Sequence, residues 1–509
     1  MIKHYEEASG DQFKNTFDRN WKRRERGDNN MAQIQKEKLT ILHTNDIHSH
    51  FDMVSSIAGL ITVEKNLVSD SPLILLDIGD HMDRMSVETE GSVGQANTDI
   101  INLTNYDAIT IGNNEGLTFT PGMLERAYNG LLCPVVCCNI RELASGHSPS
   151  WMKEHTIITK GNINIGIIGV TAPFDEFYRL LGWEAIDPRI VLQEQIDILR
   201  PQVDVLILLS HLGLPTDREL ATNFEGIDLI LGGHTHHLLE EPIYIGNTSI
   251  CGAGKFGQFV GKVVMERDVD GSFKVVWGGC LPVDPMRKDD KINKALEIHR
   301  EQAKKVLQRT VTITDHALLL NEEGQESPFG NIMAQSLRQF TKAEISMVNT
   351  GQLLGSLPEG NVTVGMLHQL CPSPINPCIM KLKGSDIRYT LEQSLLTEYK
   401  GKKISGYGFR GKILGSIALD GAEVLYDNTR IPYDRIVSVT VNGFPLCDDQ
   451  EYVVGTIDMF TFGIGYERIA MGSDRTFILP EFLRDLLSIE LQRPGSLEDC
   501  HEIRWHSVV

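Results

Sequence analysis

The sequence predicts a layered-sheet α/β domain followed by a smaller α+β domain. Three observations carry this. At 509 residues the chain is longer than one ordinary hydrophobic core supports, so two domains are expected. Its first half alternates short, continuous runs of Leu, Ile and Val with longer amphipathic stretches. Beyond residue 310 the texture changes, and glycines and turn signals become denser.

The apolar runs are residues 39–42, 73–76, 108–111, 163–170, 203–209 and 227–231. Runs of this length without alternation read as strands buried on both faces. The stretches 57–68 and 191–199 have helical spacing, which makes the region a layered α/β domain. Residues 289–307 are charged and free of breakers, follow a proline-bounded stretch at 282–285, and predict a linker helix. Strands are expected again at 343–348 and 452–456. The predicted organisation is a disordered extension over 1–37, a first domain over 38–285, a linker over 286–309 and a second domain over 310–509.

Charge narrows the function. With 48 Lys and Arg against 68 Asp and Glu the formal net charge is −20, which argues against nucleic acid or an anionic membrane as partner. A small anionic substrate stays compatible, since bound metal ions reverse a local field. No apolar run approaches the about 18 residues of a membrane span. The first residues mix Lys, Arg, Asp and Glu with no apolar signal core, so a cytoplasmic location is expected. The nine cysteines include no paired metal-ligand spacing and read as packing thiols.

Ligands of parallel sheets bind beyond the carboxyl ends of the strands. After the first run come His43, Thr44, Asn45, Asp46, Ile47 and His48; after the second, Asp77, Ile78, Gly79 and Asp80. The third is followed by Gly112, Asn113, Asn114 and Glu115, the fifth by Ser210 and His211, and the sixth by Gly232, Gly233, His234, Thr235 and His236. Five strand ends thus offer oxygen or imidazole donors. Mixed His, Asp and Asn sets suit divalent Mn, Zn or Fe. Two such ions need a bridging carboxylate, for which Asp80 is suitably placed, and together they activate water for in-line attack on phosphorus.

The segments LHTNDIHSH, LDIGD, GNNE, SHLG and GGHTHH resemble the motifs of the 5'-nucleotidase family. Past the linker, SPFGNIMAQSLR, VNTGQLLGSLPEGNVTVG and LKGSDIRYTLEQSL resemble that family's C-terminal, substrate-binding domain, so the resemblance spans about residues 38–470. It implies a calcineurin-like metallophosphoesterase domain holding two metal ions. One would be held by Asp46, His48, Asp80 and His236, the other by Asp80, Asn113, His211 and His234. It implies hydrolysis of small phosphate esters, nucleotides above all, with the nucleoside held by the second domain.

The chain also departs from the family pattern. The family's G-N-H-E-x-D supplies a His and Asp dyad where this sequence has Asn114 and Leu117. Asparagine donates a hydrogen bond but carries no positive charge, and losing one good transition-state donor costs about 10²–10³ in rate. His81 and His50, with His237 a weaker third, are candidate replacement acids beside Asn114. In the second domain the run from Asn349 through Gly351 to Leu354 lacks the family's arginine. Asp458 stands where the family has a clamping Phe, and Ile464 where it has an Asp. Phe409 is a candidate for the other clamping ring; Asn349, Gly351, Phe409 and Asp458 together are the candidate substrate contacts. Without a clamp a nucleobase loses about 1–3 kcal/mol of stacking. Two alternatives therefore stand beside nucleotide hydrolysis: hydrolysis of another ester, such as a cyclic nucleotide, a nucleotide sugar or a thiosulfate conjugate, or a catalytically weak metal-binding protein.

Overall fold

The computed structural model describes residues 37–68, 71–320 and 326–508. The extension predicted over 1–37 lies outside them except for Glu37, whose carboxylate pairs with Arg267 at 2.8 Å.

All six apolar runs form strands: β1 Lys38–Thr44, β2 Leu73–Asp77, β3 Ala108–Ile109, β4 Ile163–Thr171, β5 Val205–His211 and β6 Leu229–Gly232. They do not share one sheet. β1, β2 and β3 run parallel within a seven-stranded sheet, and β4, β5 and β6 run parallel within a separate six-stranded one. The pleat explains how the two pack. Leu39, Ile41, Ile74 and Leu76 meet Ile165, Ile167, Ile207 and Leu231 in one buried cluster between the sheets. The alternate residues Leu42 and Leu75 face the helices on one outer side, and Leu206 and Leu208 those on the other.

The expected helices are longer than their apolar cores suggest. Residues 57–67 belong to helix Phe51–Leu67, which Val68 caps, and 191–199 to helix Pro188–Leu199. Pro188 occupies the first turn, and the Asp187 side chain accepts from Arg189 N–H at 2.9 Å, an N-terminal signal. The linker helix, Asp290–Leu307, is capped by Asp289, which accepts from the N–H groups of Lys291 and Ile292. It does not stand free between domains. Its apolar face buries Ile292 and Leu296 in the first domain's core, and it lies along the short helices Val87–Ser92 and Gln95–Thr104.

The second domain is α+β. Its five-stranded sheet orders Ile417–Asp420, Ile345–Asn349, Glu451–Ile457, Pro377–Lys383 and Ser473–Phe477, with helix Pro328–Thr341 packed on it. A four-stranded sheet adjoins it, and the two share one core. Among the described residues no helix is long and apolar enough to cross a membrane.

Candidate metal centre

The carboxyl ends of both parallel sheets converge on one cleft. Asp46 and His48 follow β1, Asp80 follows β2, Asn113 follows β3, His211 ends β5, and His234 and His236 follow β6. Asp46, His48, Asp80, His234 and His236 all have positive φ, between 48° and 70°. A non-glycine residue in this region costs of order 1 kcal/mol or more and persists where its surroundings fix it. Here the loops after β1 and β2 are zipped together by Asp46 N–H to Gly79 O at 3.0 Å, His48 N–H to Asp80 O at 2.8 Å and Ser49 N–H to His81 O at 3.0 Å. Gly79 has φ of 85°, and a Cβ there would lie 2.4 Å from Gly112 N. The loops after β2 and β3 thus touch backbone to backbone.

Glu115 ties the same loops from beneath. Its buried carboxyl accepts from the N–H groups of Met82 at 2.7 Å, Gly112 at 2.9 Å and Asp80 at 3.0 Å. Burial, then the neighbouring Asp80, push its pKa up to about 7. Asn45 steadies Asp46 by donating to its Oδ2 at 2.7 Å and to Gly254 O at 2.7 Å. Backbone N–H of His234 donates to both Asp46 oxygens at 3.1 Å.

Two overlapping donor groups result: Asp46, His48 and His236, and Asp46, Asp80 and His211, each with ligand atoms within 4.8 Å of one another. Asp80 Oδ2 lies between them, 3.6 Å from His48 Nε2 and 3.4 Å from His211 Nε2. His236 Nε2 is 3.4 Å from Asp46 Oδ1 and 3.3 Å from His48 Nε2. Asn113 Oδ1 and His234 Nδ1 sit 2.7 Å apart, at the spacing of two donors turned toward one point.

The residues fit divalent cations on independent grounds. His211 Nδ1 lies 2.7 Å from Ile78 O. A carbonyl only accepts, so Nδ1 carries the proton. Nε2 is left buried with no hydrogen-bond partner among the described residues, and it is the atom that a cation would take in place of a proton. The cluster also calls for positive charge. Against burial, which opposes it, Asp80 and Asp46 drive His211 up to about 10. His48 is likewise raised against its burial, by Asp83, Asp80 and Asp46. Burial disfavours an ionised Asp80, yet His211 and His48 hold its carboxyl well below the usual range.

The candidate acids have other surroundings. His81 is buried, burial pushes it down to about 4, and its Nδ1 lies 3.2 Å from Asn97 Nδ2; it is neutral at physiological pH. His50 is exposed, stacked on Phe256 at 4.0 Å, with Nδ1 against the carbonyls of Ile47 and His48. His237 lies 2.8 Å from Thr235 Oγ1. Asn114 is at the centre itself: its backbone N–H donates to Asp80 Oδ1 at 2.8 Å, and its side-chain amide lies 2.6 Å from His48 Nδ1.

The candidate substrate contacts of the second domain correct the expectation in part. Phe409 is buried in the second core, so its ring has no face free to stack on a base. Asn349 is fully buried, and its amide donates to Leu414 O at 2.8 Å. At Gly351 a Cβ would fall 2.0 Å from Ile413 O. Asp458 accepts from the N–H groups of Met459 and Asn376, and burial pushes it up to about 7. Residues not singled out from the sequence line the site instead. Phe256, from the loop before strand Phe259–Arg267, is 5.7 Å from His48. Phe174, beyond β4, is 5.9 Å from His234. Asp83 Oδ2 is 3.4 Å from His48 Nδ1 and pairs at 2.7 Å with Arg410 of the second domain. Asp83, three residues past Asp80, was open to notice; nothing in the sequence marked Arg410.

Comparison with known proteins finds two family models that match successive stretches of the chain. The family described as calcineurin-like phosphoesterase matches residues 39–238, and the 5'-nucleotidase C-terminal domain matches residues 306–468. An uncharacterized metallophosphoesterase, YunD of Bacillus subtilis (strain 168), is 34% identical over 464 residues, covering 90% of this chain and 99% of that protein. The 5'-nucleotidase of Rattus norvegicus is 24% identical over 477 residues, covering 79% of this chain and 78% of that one. The solved structure of Haemophilus influenzae NAD nucleotidase shares the fold with a TM-score of 0.66 at 17% identity, covering 93% of this chain and 99% of that one.

Proposed function

The chain belongs to the 5'-nucleotidase family of calcineurin-like metallophosphoesterases and is a metal-dependent phosphoric ester hydrolase, and on that footing we propose that it hydrolyses small phosphate esters, nucleotides first, at a centre for two divalent ions. The observation that carries this reading is the position of Asp80 Oδ2 between His48 and His211, at 3.6 and 3.4 Å, which suits a bridging carboxylate. One ion would be held by Asp46, His48, Asp80 and His236, the other by Asp80, Asn113, His211 and His234. Mn, Zn and Fe all suit this donor set. Bound there, the ions supply Lewis-acid activation of a phosphoryl oxygen and of water.

The chain's own residues do the rest. Asn45 and the His234 N–H hold Asp46 in one orientation, and Glu115 fixes the loops that carry Asp80 and Asn113. The His211 proton stays on Nδ1, bonded to Ile78 O, which keeps Nε2 free as a donor. Asn114 stands where the family has a histidine and brings an amide rather than a cation to the phosphoryl group, which favours a slow enzyme. A second reading, an ester other than a nucleoside 5'-phosphate, is favoured by the burial of Phe409 and by Asp458 in place of a clamping ring.

The test is phosphate release from nucleotides, nucleotide sugars and an aryl phosphate by metal-stripped protein, with Mn, with Zn and without metal. Metal-dependent release that Asp80→Ala abolishes is the expected result, and the preferred substrate separates the two readings. Two bound ions with no turnover on any substrate would sink the hydrolase assignment.

A further inference from the structure

The proposed ligands all belong to the first domain, yet the second reaches the edge of their centre. Arg410 Nη2 donates to Asp83 Oδ2 at 2.7 Å, and the same oxygen lies 3.4 Å from His48 Nδ1. We propose that Asp83 is a positioning residue for His48, and that Arg410 holds Asp83 in place, so that seating of the second domain sets the orientation of a metal ligand. The proposal rests on the metal-centre reading above.

Three arguments support it. The first concerns the tautomer. If His48 ligates through Nε2, its Nδ1 carries the proton and needs an acceptor, and such outer partners orient metal-binding histidines. Asp83 Oδ2 and the Asn114 amide are both within reach. A carboxylate accepts in any rotation, whereas Asn114 turns its amide nitrogen to the ring at 2.6 Å, and an amide nitrogen accepts nothing.

The second concerns charge. Asp83 is buried and tightly held: its N–H donates to Ser49 Oγ at 2.8 Å, and its Oδ1 accepts from Met85 N–H at 2.8 Å. An ionised carboxylate in such a place needs a cation. Among the described residues Arg410 is its only Lys or Arg ion-pair partner.

The third concerns anchoring. Arg410 rides on a strap locked into the second domain. Its neighbour Phe409 is in the core, and its own N–H donates to Ser373 Oγ at 3.1 Å. At Gly411 a Cβ would strike Gly351 O at 2.2 Å, and Gly351 N–H donates to Leu414 O at 3.1 Å. Arg410 therefore meets Asp83 only where the whole second domain is seated. Other contacts mark that seat: Arg484 with Glu90 at 3.2 Å and His368 Nε2 with Arg84 O at 2.8 Å.

The experiment titrates the full, metal-stripped chain with Mn(II) alone against a competing chelator, with bound ions counted by electron paramagnetic resonance. Wild type is compared with Asp83→Asn, Arg410→Gln, the double variant and Arg410→Lys. Wild type should bind two ions. Asp83→Asn should weaken one of them by about 10–100-fold, the usual effect of losing an outer-shell partner. Arg410→Gln should weaken the same ion by a smaller factor, Arg410→Lys should recover most of that loss, and the double variant should be no worse than Asp83→Asn, because the residues act in series. Losses that multiply in the double variant, or variants that hold both ions within twofold of wild type, overturn the relay. Should Asp83→Asn fail to fold, the half-buried Arg410 decides: an Arg410→Gln chain with wild-type affinity at both positions overturns it. A wild-type chain that binds no ion overturns both this proposal and the hydrolase reading.

Discussion

Glu115 contributes no ligand, yet its two oxygens receive the N–H groups of Met82, Asp80 and Gly112, one of them the backbone of the proposed bridging aspartate. Glu115→Ala leaves these three donors without their acceptor. Each buried, unpartnered donor costs about 1–3 kcal/mol, so the sum is at least about 3 kcal/mol. In a domain of this size that lowers Tm by roughly 6 °C or more, read by calorimetry on the metal-free chain. A change of less than about 2 °C would show that water replaces the carboxylate without loss. The proposed ligands were legible in the sequence because each lies within six residues of the end of an apolar run, as His211 lies two past the run at 203–209. Asp83 and Arg410 were not, because their relation depends on the contact of two loops 327 residues apart. Phe409 could not be placed from the sequence for a related reason. An aromatic residue in a glycine-rich loop looks exposed in the sequence, and only the packed strap shows its ring in the core.

At the scale of elements, the linker helix shows how a single glycine sets a distance. A Cβ built at Gly91 would lie 2.5 Å from Ala303 Cβ and 2.6 Å from Ala303 Cα, so helices Val87–Ser92 and Asp290–Leu307 touch at their backbones there. Arg300 and Glu88 pair at 2.7 Å beside this contact, and His299 and Asp99 at 2.9 Å. Intrinsic helix preference favours alanine over glycine by about 1 kcal/mol, whereas overpacking costs about 1–3 kcal/mol. A clash with backbone has no rotamer to relieve it, which places the cost toward the upper end of that range, so Gly91→Ala should destabilise, by up to about 2 kcal/mol net. Thermal unfolding gives the sign directly, and a variant at or above the wild-type Tm refutes the close approach. The strands and this helix could be read from local pattern alone, since the runs at 39–42 and 73–76 are dense in Leu and Ile and residues 289–307 are charged and free of breakers. Division of the six strands between two sheets could not. A parallel strand buried on both faces looks the same whether its neighbour is a helix or a second sheet, and Leu39 and Leu42 differ only in which of these they meet.

The whole molecule is held closed by charge as well as by apolar contact. Arg484 is buried, and it and Arg84 both pair with Glu90, at 3.2 and 2.8 Å. Arg84 belongs to the first domain and Arg484 to the second, and Arg84 also lies over the Phe482 ring at 4.8 Å. Burial would raise the Glu90 carboxyl, but Arg484 and Arg84 outweigh it and bring it down from the ordinary 4.5 to about 2. The sign follows from linkage. A depressed carboxyl stabilises the docked state above its free value, near 4.5, and loses that contribution as pH falls through about 2. The docked form should therefore persist from neutral pH down to about 4.5 and loosen below it, seen as a rise in radius of gyration by small-angle X-ray scattering. Glu90→Gln leaves Arg484 buried without its carboxylate, a change that costs about 3–5 kcal/mol when one partner of a buried pair is removed. That variant should be expanded already at neutral pH and should lose the acid-induced step between pH 4.5 and 2 that belongs to this group. If Glu90→Gln matches wild type in size and in acid profile, this ion pair does not hold the domains together and the other contacts suffice, among them Arg410 with Asp83 at 2.7 Å and Phe177 against Phe477 at 4.5 Å. If it opens, Arg410 is drawn away from Asp83 in the same motion, and the Mn(II) affinity that Asp83→Asn weakens should fall with it.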